Sequence, residues 1–277
     1  MTINIASIKA KLLHISKENN IDFQVILNRF GTEQFLARLS QSEMVSQFVF
    51  KGGSLLMYLI ETNRKTRDID FSIKRLSNQV GNLVTIIQSI LEVDLDDGIV
   101  WDKPVGETLS HPDMQEPGAR IMSNFSLDRM RGQIQMDLAL GDNVDPVYLM
   151  LPRLQYKGVP LFGGNFSILT YPPESIFAEK LHIAVAKKEN NSRMKDYYDL
   201  LKLCQSSMNH LKLRNCIETT FSNRATQMID LISFDTSSIE AMQLRWSSFL
   251  AKERLKDAPN NISDVIETIN KVLRSIT

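Results

Sequence analysis

The chain of 277 residues has 32 basic and 32 acidic side chains, and 43% of its residues are hydrophobic. This balance excludes a disordered chain and a broadly basic nucleic-acid coat, although it leaves room for a local basic groove. Two cysteines, Cys204 and Cys216, exclude a disulfide scaffold, and the lack of a long apolar run and of a signal-peptide pattern leads us to expect a cytoplasmic protein without membrane contact.

The first 40 residues are predicted to be helical. Ile8, Leu12 and Ile15 recur at helical spacing among charged residues. Apolar residues from Phe23 to Leu39 then predict one or two further amphipathic helices, and Gly31 is predicted to divide them.

A strand, a glycine turn and a helix are predicted next. The segment Phe48–Phe50 is short, apolar and β-prone, Gly52-Gly53 permits a tight turn, and residues 55–60 have a helix-forming composition. After a polar stretch, aspartates and apolar residues alternate from Asp68 to Ile73, which predicts a second strand.

The rest of the chain completes a predicted α+β fold. A helix is expected over 80–93, a loop rich in Asp, Pro and Gly over 94–118, and strands over 120–127, 132–140 and 166–170. From Pro172 onward, helices are predicted over 174–189, 195–207, 210–222, 239–255 and 262–275. We therefore predict N-terminal helices and a mixed β-sheet core over residues 1–171, and a helical C-terminal domain over 172–277.

The Gly52-Gly53-Ser54 motif lies between the predicted strand and helix. Glycines let the backbone approach a ligand closely, and the start of a helix presents N–H groups and a positive dipole end that suit a phosphate. The Ser54 hydroxyl adds one donor. This motif alone also occurs as a plain structural turn.

Three aspartates on predicted strands are candidates for a metal site. Asp68 and Asp70 are two residues apart, so both project from one face of their strand, while Ile69 and Phe71 are directed into the core. Asp137 is a single charge in an otherwise apolar strand, where an unpaired charge is costly. Each could be a solvated strand residue, but together they are typical of a Mg²⁺-dependent phosphoryl-transfer site.

A basic group follows in the helical half. Lys180 lies on one predicted helix, and Arg193, Lys195 and Asp196 open the next. Each is also common as a solvated or capping residue. If both helices cover the sheet, their cations face the carboxylates, and the arrangement suits a phosphate-rich substrate.

Four motifs in order carry a family resemblance. Phe50-Lys51-Gly52-Gly53-Ser54 and Arg67-Asp68-Ile69-Asp70-Phe71 resemble the GS…DxD signature of the polymerase-β-like nucleotidyltransferases. With the segments 35–42, 179–181 and 193–200, the chain resembles more narrowly the AbiEii/AbiGii family, nucleotidyltransferase-like toxins of bacterial toxin–antitoxin and abortive-infection systems. The resemblance covers about residues 5 to 205.

The resemblance implies a nucleotidyltransferase-type sheet and transfer of NMP from an NTP, with Mg²⁺ as cofactor and pyrophosphate as product. It implies that Asp68 and Asp70 ligate Mg²⁺ and that Asp137 is a third carboxylate, acting as ligand or base. Lys180 would contact phosphates, and Asp196 would act as base or orient Lys180. The nucleotide-binding residues implied are Gly52, Gly53, Ser54, Arg67, Lys180, Arg193 and Lys195.

The same resemblance makes RNA, above all the tRNA 3′ end, the leading acceptor, and implies a cognate antitoxin without requiring a tight complex between the two proteins. Protein nucleotidylation and a kinase-like phosphotransferase, in which Ser54 itself accepts phosphate, stay open as alternatives. A degenerate binding module is a third reading, against which the intact motif residues argue. No motif assigns a role to residues 207–277.

Overall fold

The computed structural model describes residues 4–60, 66, 68–110, 117–140, 144–188, 191–229 and 231–276. Arg67, predicted to bind nucleotide, lies outside the described residues. The chain divides into two compact units, of which the first comprises residues 1–55, 67–141 and 146–170 and the second comprises 56–66, 142–145 and 171–277. The predicted domain division at 171/172 stays a prediction.

The chain up to residue 170 alternates helices with strands. In chain order the described elements are α1 (Ile5–Glu18), α2 (Phe23–Gln41), β1 (Phe48–Lys51), α3 (Gly52–Leu59), β2 (Asp68–Ile73), α4 (Val80–Leu91), β3 (Ile99–Trp101), β4 (Val105–Leu109), β5 (Gly118–Leu127), β6 (Met130–Leu140), β7 (Val147–Leu151), β8 (Gln155–Tyr156), β9 (Val159–Pro160) and β10 (Phe166–Thr170).

The described strands form a mixed sheet, which confirms the predicted fold class. Their order is β3-β5-β6-β2-β1-β10-β7, with β4 also paired to β5, and β8-β9 form a separate hairpin. β2 runs parallel to β6 and β1 parallel to β10, whereas the other pairs in the sheet are antiparallel. In this order β2 is the central strand of the sheet.

One prediction about the N-terminal helices is wrong. Gly31 does not divide two helices, because α2 runs without a break from Phe23 to Gln41. A Cβ at Gly31 would overlap the ring of Phe125 on β5. The glycine therefore makes room for an aromatic ring against the helix rather than ending it.

The predicted loop over 94–118 is also corrected, because it contains β3 and β4. Both strands pair with β5 in antiparallel register. Trp101 packs against Phe125 with 5.1 Å between ring centroids. Most of β4 is exposed, so its sequence lacks the apolar alternation by which a half-buried strand is recognised.

An aromatic cluster packs around Phe71 on the buried face of β2. Phe71 is fully buried, and its ring lies 6.1 Å from that of Phe35 on α2 and 5.6 Å from those of Phe48 and Phe50 on β1. Ile69 is buried on the same side. Asp68 and Asp70 are partly exposed, as the alternation predicts for the opposite face.

The second unit contains the predicted C-terminal helices, two of which begin at the predicted residue while the other ends differ by a few residues. In chain order they are α5 (Pro173–Lys187), α6 (Met194–Cys204), α7 (His210–Asn223), α8 (Thr236–Glu253) and α9 (Ile262–Ile276). Trp246 is fully buried and donates its indole N–H to the Pro259 carbonyl at 2.9 Å. None of the described helices is long and apolar enough to cross a membrane.

Candidate active site

At the glycine turn, the backbone of Gly52 packs against the side-chain carboxylate of Asp70. β1 ends at Lys51, and α3 begins at Gly52 with φ of +72°. A Cβ at Gly52 would overlap the carboxylate of Asp70 on β2. The two sequence motifs, the glycine turn and the aspartate pair, therefore meet in space through backbone contact.

Ser54 joins the same two elements. Its side chain is buried, and its hydroxyl donates a hydrogen bond to the backbone carbonyl of Asp68. The first turn of α3 is thus tied to the first residue of β2. The oxygen lone pairs of Ser54 remain able to accept, while its proton is committed to Asp68.

Four charged residues occupy opposing positions on adjacent strands; we call them the charged row. Lys51 of β1 pairs with Asp70 of β2, Asp70 pairs with Asp137 of β6, and Asp137 pairs with Arg120 of β5. Directly opposed residues project to the same face of a sheet. Two carboxylates therefore lie side by side, with a cationic residue on each flank.

Arg120 engages Asp137 with both ends of its guanidinium. Its Nε donates to Oδ1 at 2.9 Å, and its terminal nitrogen donates to Oδ2 at 2.8 Å. These hydrogen bonds raise the pKa of Arg120 above its usual value, and the charges of Asp137, Asp68 and Glu107 add to the rise. Both oxygens of Asp137 are thus committed to an arginine that the sequence interpretation had assigned no role.

The donor chemistry of this face fits a hard cation. Asp68 and Asp70 offer carboxylate oxygens, the ligands that Mg²⁺ prefers, from a partly exposed strand face. In the parts of the chain that the structure describes, no three His, Cys, Asp or Glu side chains are grouped closely enough to hold a metal. Because each Asp137 oxygen already accepts a hydrogen bond from Arg120, a cation ligated by Asp137 would share these oxygens with the guanidinium.

In the second unit, Lys180 lies within a buried ion cluster. Its Nζ is 2.9 Å from Asp196 Oδ1 and 2.8 Å from Asp199 Oδ2, both on α6. The other oxygen of Asp196 is 3.0 Å from Arg193 Nε. We call Lys180, Arg193, Asp196 and Asp199 the α5–α6 ion cluster; it has two positive and two negative charges.

The ion pairs of this cluster outweigh the cost of burial. Burial lowers the pKa of Lys180, but the charges of Asp199 and Asp196 reverse this effect and hold it above its usual value. Burial raises the pKa of Asp196, but Lys180 and Arg193 reverse this in turn and hold it below its usual value. Lys180 and Asp196 therefore stay charged at neutral pH.

The structure gathers the predicted site residues into two groups. Gly52, Ser54, Asp68, Asp70 and Asp137 come together in the first unit, and Lys180, Arg193 and Asp196 in the second. Lys195 is exposed in the first turn of α6. The prediction that the cations face the carboxylates stays a prediction.

Two residues had no role assigned from the sequence, Asp199 in the α5–α6 ion cluster and Arg120 in the charged row. Asp199 follows Asp196 by three residues, and this helical spacing places both on one face of α6 and could have identified Asp199. Arg120 had no comparable signal, because its pairing with Asp137 depends on the register between β5 and β6.

Comparison with known proteins finds a matching family model and similar solved structures. A family model described as nucleotidyl transferase AbiEii toxin, type IV TA system, matches residues 34–268. MenT4, a nucleotidyltransferase toxin from Mycobacterium tuberculosis H37Rv, has a similar fold, with 13% identity, a TM-score of 0.54 and 99% of each chain covered. JHP933 from Helicobacter pylori matches with 14% identity, a TM-score of 0.46 and 90% of each chain covered. A search of curated proteins finds no match.

Proposed function

The chain belongs to the AbiEii family of nucleotidyltransferase toxins of type IV toxin–antitoxin systems, and we propose that it transfers NMP from an NTP to the 3′ end of a tRNA, using Mg²⁺ and releasing pyrophosphate. The observation that carries this proposal is the contact between the glycine turn and Asp70. A glycine turn at the start of a helix suits a phosphate and a carboxylate suits a metal ion, and a nucleoside triphosphate needs both, so the contact between them supports the proposal.

In this proposal the first unit holds the metal and the triphosphate. Asp68 and Asp70 would hold Mg²⁺, which supplies positive charge and Lewis acidity to the phosphates when bound. Gly52 and Gly53 let the triphosphate approach the backbone, and Ser54 locks the turn against β2. Asp137 is proposed as the third carboxylate of the site, as ligand or base.

Lys180, Arg193, Lys195 and Arg67 are proposed to neutralise phosphate charge. For Asp196, the two roles left open by the sequence are a general base and an orienting residue. Its carboxylate is fully buried, ion-paired on both oxygens and lowered in pKa. A carboxylate stabilised in this way is a weak base, which supports the orienting role for Asp196.

The partners follow from the family and the chemistry. A type IV system includes a cognate antitoxin. A tight complex between the antitoxin and this chain is not required by the family, and co-purification of the two proteins tests for one. The zero net charge of the chain supports an RNA end rather than a long RNA track as acceptor, because a long track needs a broadly basic surface.

The test is a labelling assay with Mg²⁺, total tRNA, a protein extract and each NTP radiolabelled at the α-phosphate. Label on tRNA is the expected result; label on protein alone replaces the acceptor. A parallel assay with ATP labelled at the γ-phosphate detects a kinase instead. Asp70→Asn should abolish transfer while the melting temperature is retained, and Asp264→Asn, in the exposed first turn of α9, is the matched control.

A further inference from the structure

Gln135 on β6 lies directly opposite Asp68 on β2. The parallel register of the two strands pairs Asp68 with Gln135 and, two residues further along, Asp70 with Asp137. Adjacent strands of a sheet lie about 4.8 Å apart, and side chains at paired positions project to the same face. The side chain of Gln135 therefore lies on the sheet face that carries the three aspartates.

The burial pattern of β6 supports this direction. Ile134 and Met136 are buried on the opposite face, whereas Gln135 and Asp137 are each partly exposed. Because side chains alternate along a strand, Gln135 shares its face with Asp137 and not with the apolar core. Gln135 is thus a neutral polar residue within an otherwise charged group.

The amide of Gln135 is not engaged by its neighbours. Among the residues that the structure describes, the Gln135 side chain makes no hydrogen bond, and the carboxylate of Asp68 accepts none. By contrast, Gln133 on the same strand donates from Nε2 to Asn124 Oδ1 at 2.9 Å. On the β5 side, Gln135 is paired with Met122, whose thioether is only a weak acceptor. The carbonyl oxygen of the Gln135 amide is therefore left to accept an added ligand.

We propose that the side-chain carbonyl oxygen of Gln135 is a ligand of the divalent cation held by Asp68 and Asp70. The inference rests on the proposed function, which supplies the need for this cation. Amide carbonyl oxygens bind the same hard cations as carboxylates do. Because the amide is neutral, it adds an oxygen without adding to the repulsion between Asp68 and Asp70 before the cation binds.

Three variants separate the oxygen of Gln135 from its N–H donors. Gln135→Leu keeps a side chain of similar size and removes both the oxygen and the donors. Gln135→Glu keeps an oxygen at the same distance from the backbone and removes the donors. Gln133→Leu is the matched control, because it removes the same amide from an exposed position of the same strand and face, two residues away from Gln135.

Mn²⁺ serves as the probe, since it takes the same kinds of oxygen ligand as Mg²⁺. Electron paramagnetic resonance of free Mn²⁺ measures the affinity of the full chain, alone and with an NTP analogue whose α–β bridge is a methylene group. We expect Gln135→Leu to bind Mn²⁺ at least about tenfold more weakly than the wild type. Gln135→Glu should bind at least as tightly as the wild type, and Gln133→Leu should match it. Melting temperatures without metal establish that each variant is folded.

The outcomes distinguish the inference from the proposed function. If Gln135→Leu matches Gln133→Leu in affinity while the wild type transfers NMP, the inference is wrong and the proposed function stands. Weaker binding by Gln135→Glu also overturns the inference, because it assigns the effect to the N–H donors. If the affinities rank as expected but no NTP is transferred to any acceptor, the proposed function fails and the cation ligand stands. If Gln135→Leu does not fold, Gln135→Ala replaces it with the same expectation.

Discussion

Gly52 meets two requirements that a larger residue cannot meet together. Its φ of +72° lies in the left-handed region, and the space in which a Cβ would sit is occupied by the Asp70 carboxylate. The first requirement concerns the backbone and the second concerns the neighbouring strand. Gly52 therefore determines how closely the turn approaches the acidic strand.

Gly52→Ala should lower the free energy of unfolding by about 2 kcal/mol, since it adds backbone strain and a steric overlap. It should also weaken Mg²⁺-dependent NTP binding, because the Asp70 carboxylate has to move. Urea unfolding and calorimetry measure the two effects. Gly81→Ala on α4 is the control, since a Cβ there meets open space. Equal stability of the two variants would contradict the packing argument.

Within the charged row, Asp137 is the residue whose proposed role as a metal ligand can be tested through its ion pair. In the structure its two oxygens accept from Arg120. If Asp137 ligates the metal, Arg120 and the cation compete for the same oxygens. The Asp137–Arg120 ion pair therefore predicts a change in metal affinity that can be measured without knowing the acceptor substrate.

Arg120→Gln should tighten Mn²⁺ binding several-fold, because a competing cation is removed from Asp137. Electron paramagnetic resonance of free Mn²⁺ measures the affinity. Arg131→Gln, exposed on the same sheet in β6, removes the same charge away from the row. Equal affinities in the two variants would remove Asp137 from the set of metal ligands.

At the level of the elements, helix α2 packs closely on strand β5 because Gly31 has no side chain where the Phe125 ring lies. The ring of Phe125 fits against Gly31 on α2 and Gly132 on β6, and a Cβ at either glycine would overlap it. Phe125 and Gly132 are register partners on adjacent strands. A glycine that weakens helix propensity thus improves tertiary packing.

Gly31→Ala should therefore destabilise the protein by about 1–2 kcal/mol, although alanine is the better helix former. The reason is overpacking against the Phe125 ring. Urea denaturation measures the change. The double variant Gly31→Ala/Phe125→Leu should recover part of the loss relative to the sum of the single variants, and strict additivity would rule out the contact as the cause.

At the scale of the whole molecule, each unit contains one tryptophan, Trp101 in the first and Trp246 in the second. The fluorescence of each tryptophan can therefore report on its own unit.

Helix α9 packs on α6, α7 and α8. Its buried face consists of Ile262, Val265, Ile269 and Leu273. Helix α9 therefore packs against the helix that supplies both carboxylates to Lys180. This gives a structural role to the segment for which the sequence showed no motif.

Ile269→Ala should destabilise the second unit by about 2–4 kcal/mol, the usual cost of a buried large-to-small change. In a Trp101→Phe background, Trp246 fluorescence during urea unfolding reports this unit alone. Lys271→Ala, exposed on the same helix, should stay within about 0.5 kcal/mol of the parent. A similar loss in both variants would show that helix propensity, and not core packing, is responsible.

Local chemistry was enough to predict several elements from the sequence. The alternation of Asp68 and Asp70 with Ile69 and Phe71 specified which face of β2 is buried, because strand side chains alternate by steric necessity. The C-terminal helices followed from apolar periodicity and the Pro172-Pro173 start. The motif order predicted the family, which the match over residues 34–268 shows.

Features that depend on strand register and on contacts between distant segments became visible in the folded chain alone. The pairing of Asp137 with Arg120, the place of Gly31 beneath Phe125 and the strands hidden in 94–118 are not encoded by any local period. The same holds for the use of Asp199 as the second partner of Lys180. The effect of a charge or of a missing side chain depends on the group that contacts it. Which group that is depends on the packing of the whole sheet or helix bundle, and a local sequence pattern does not contain this information.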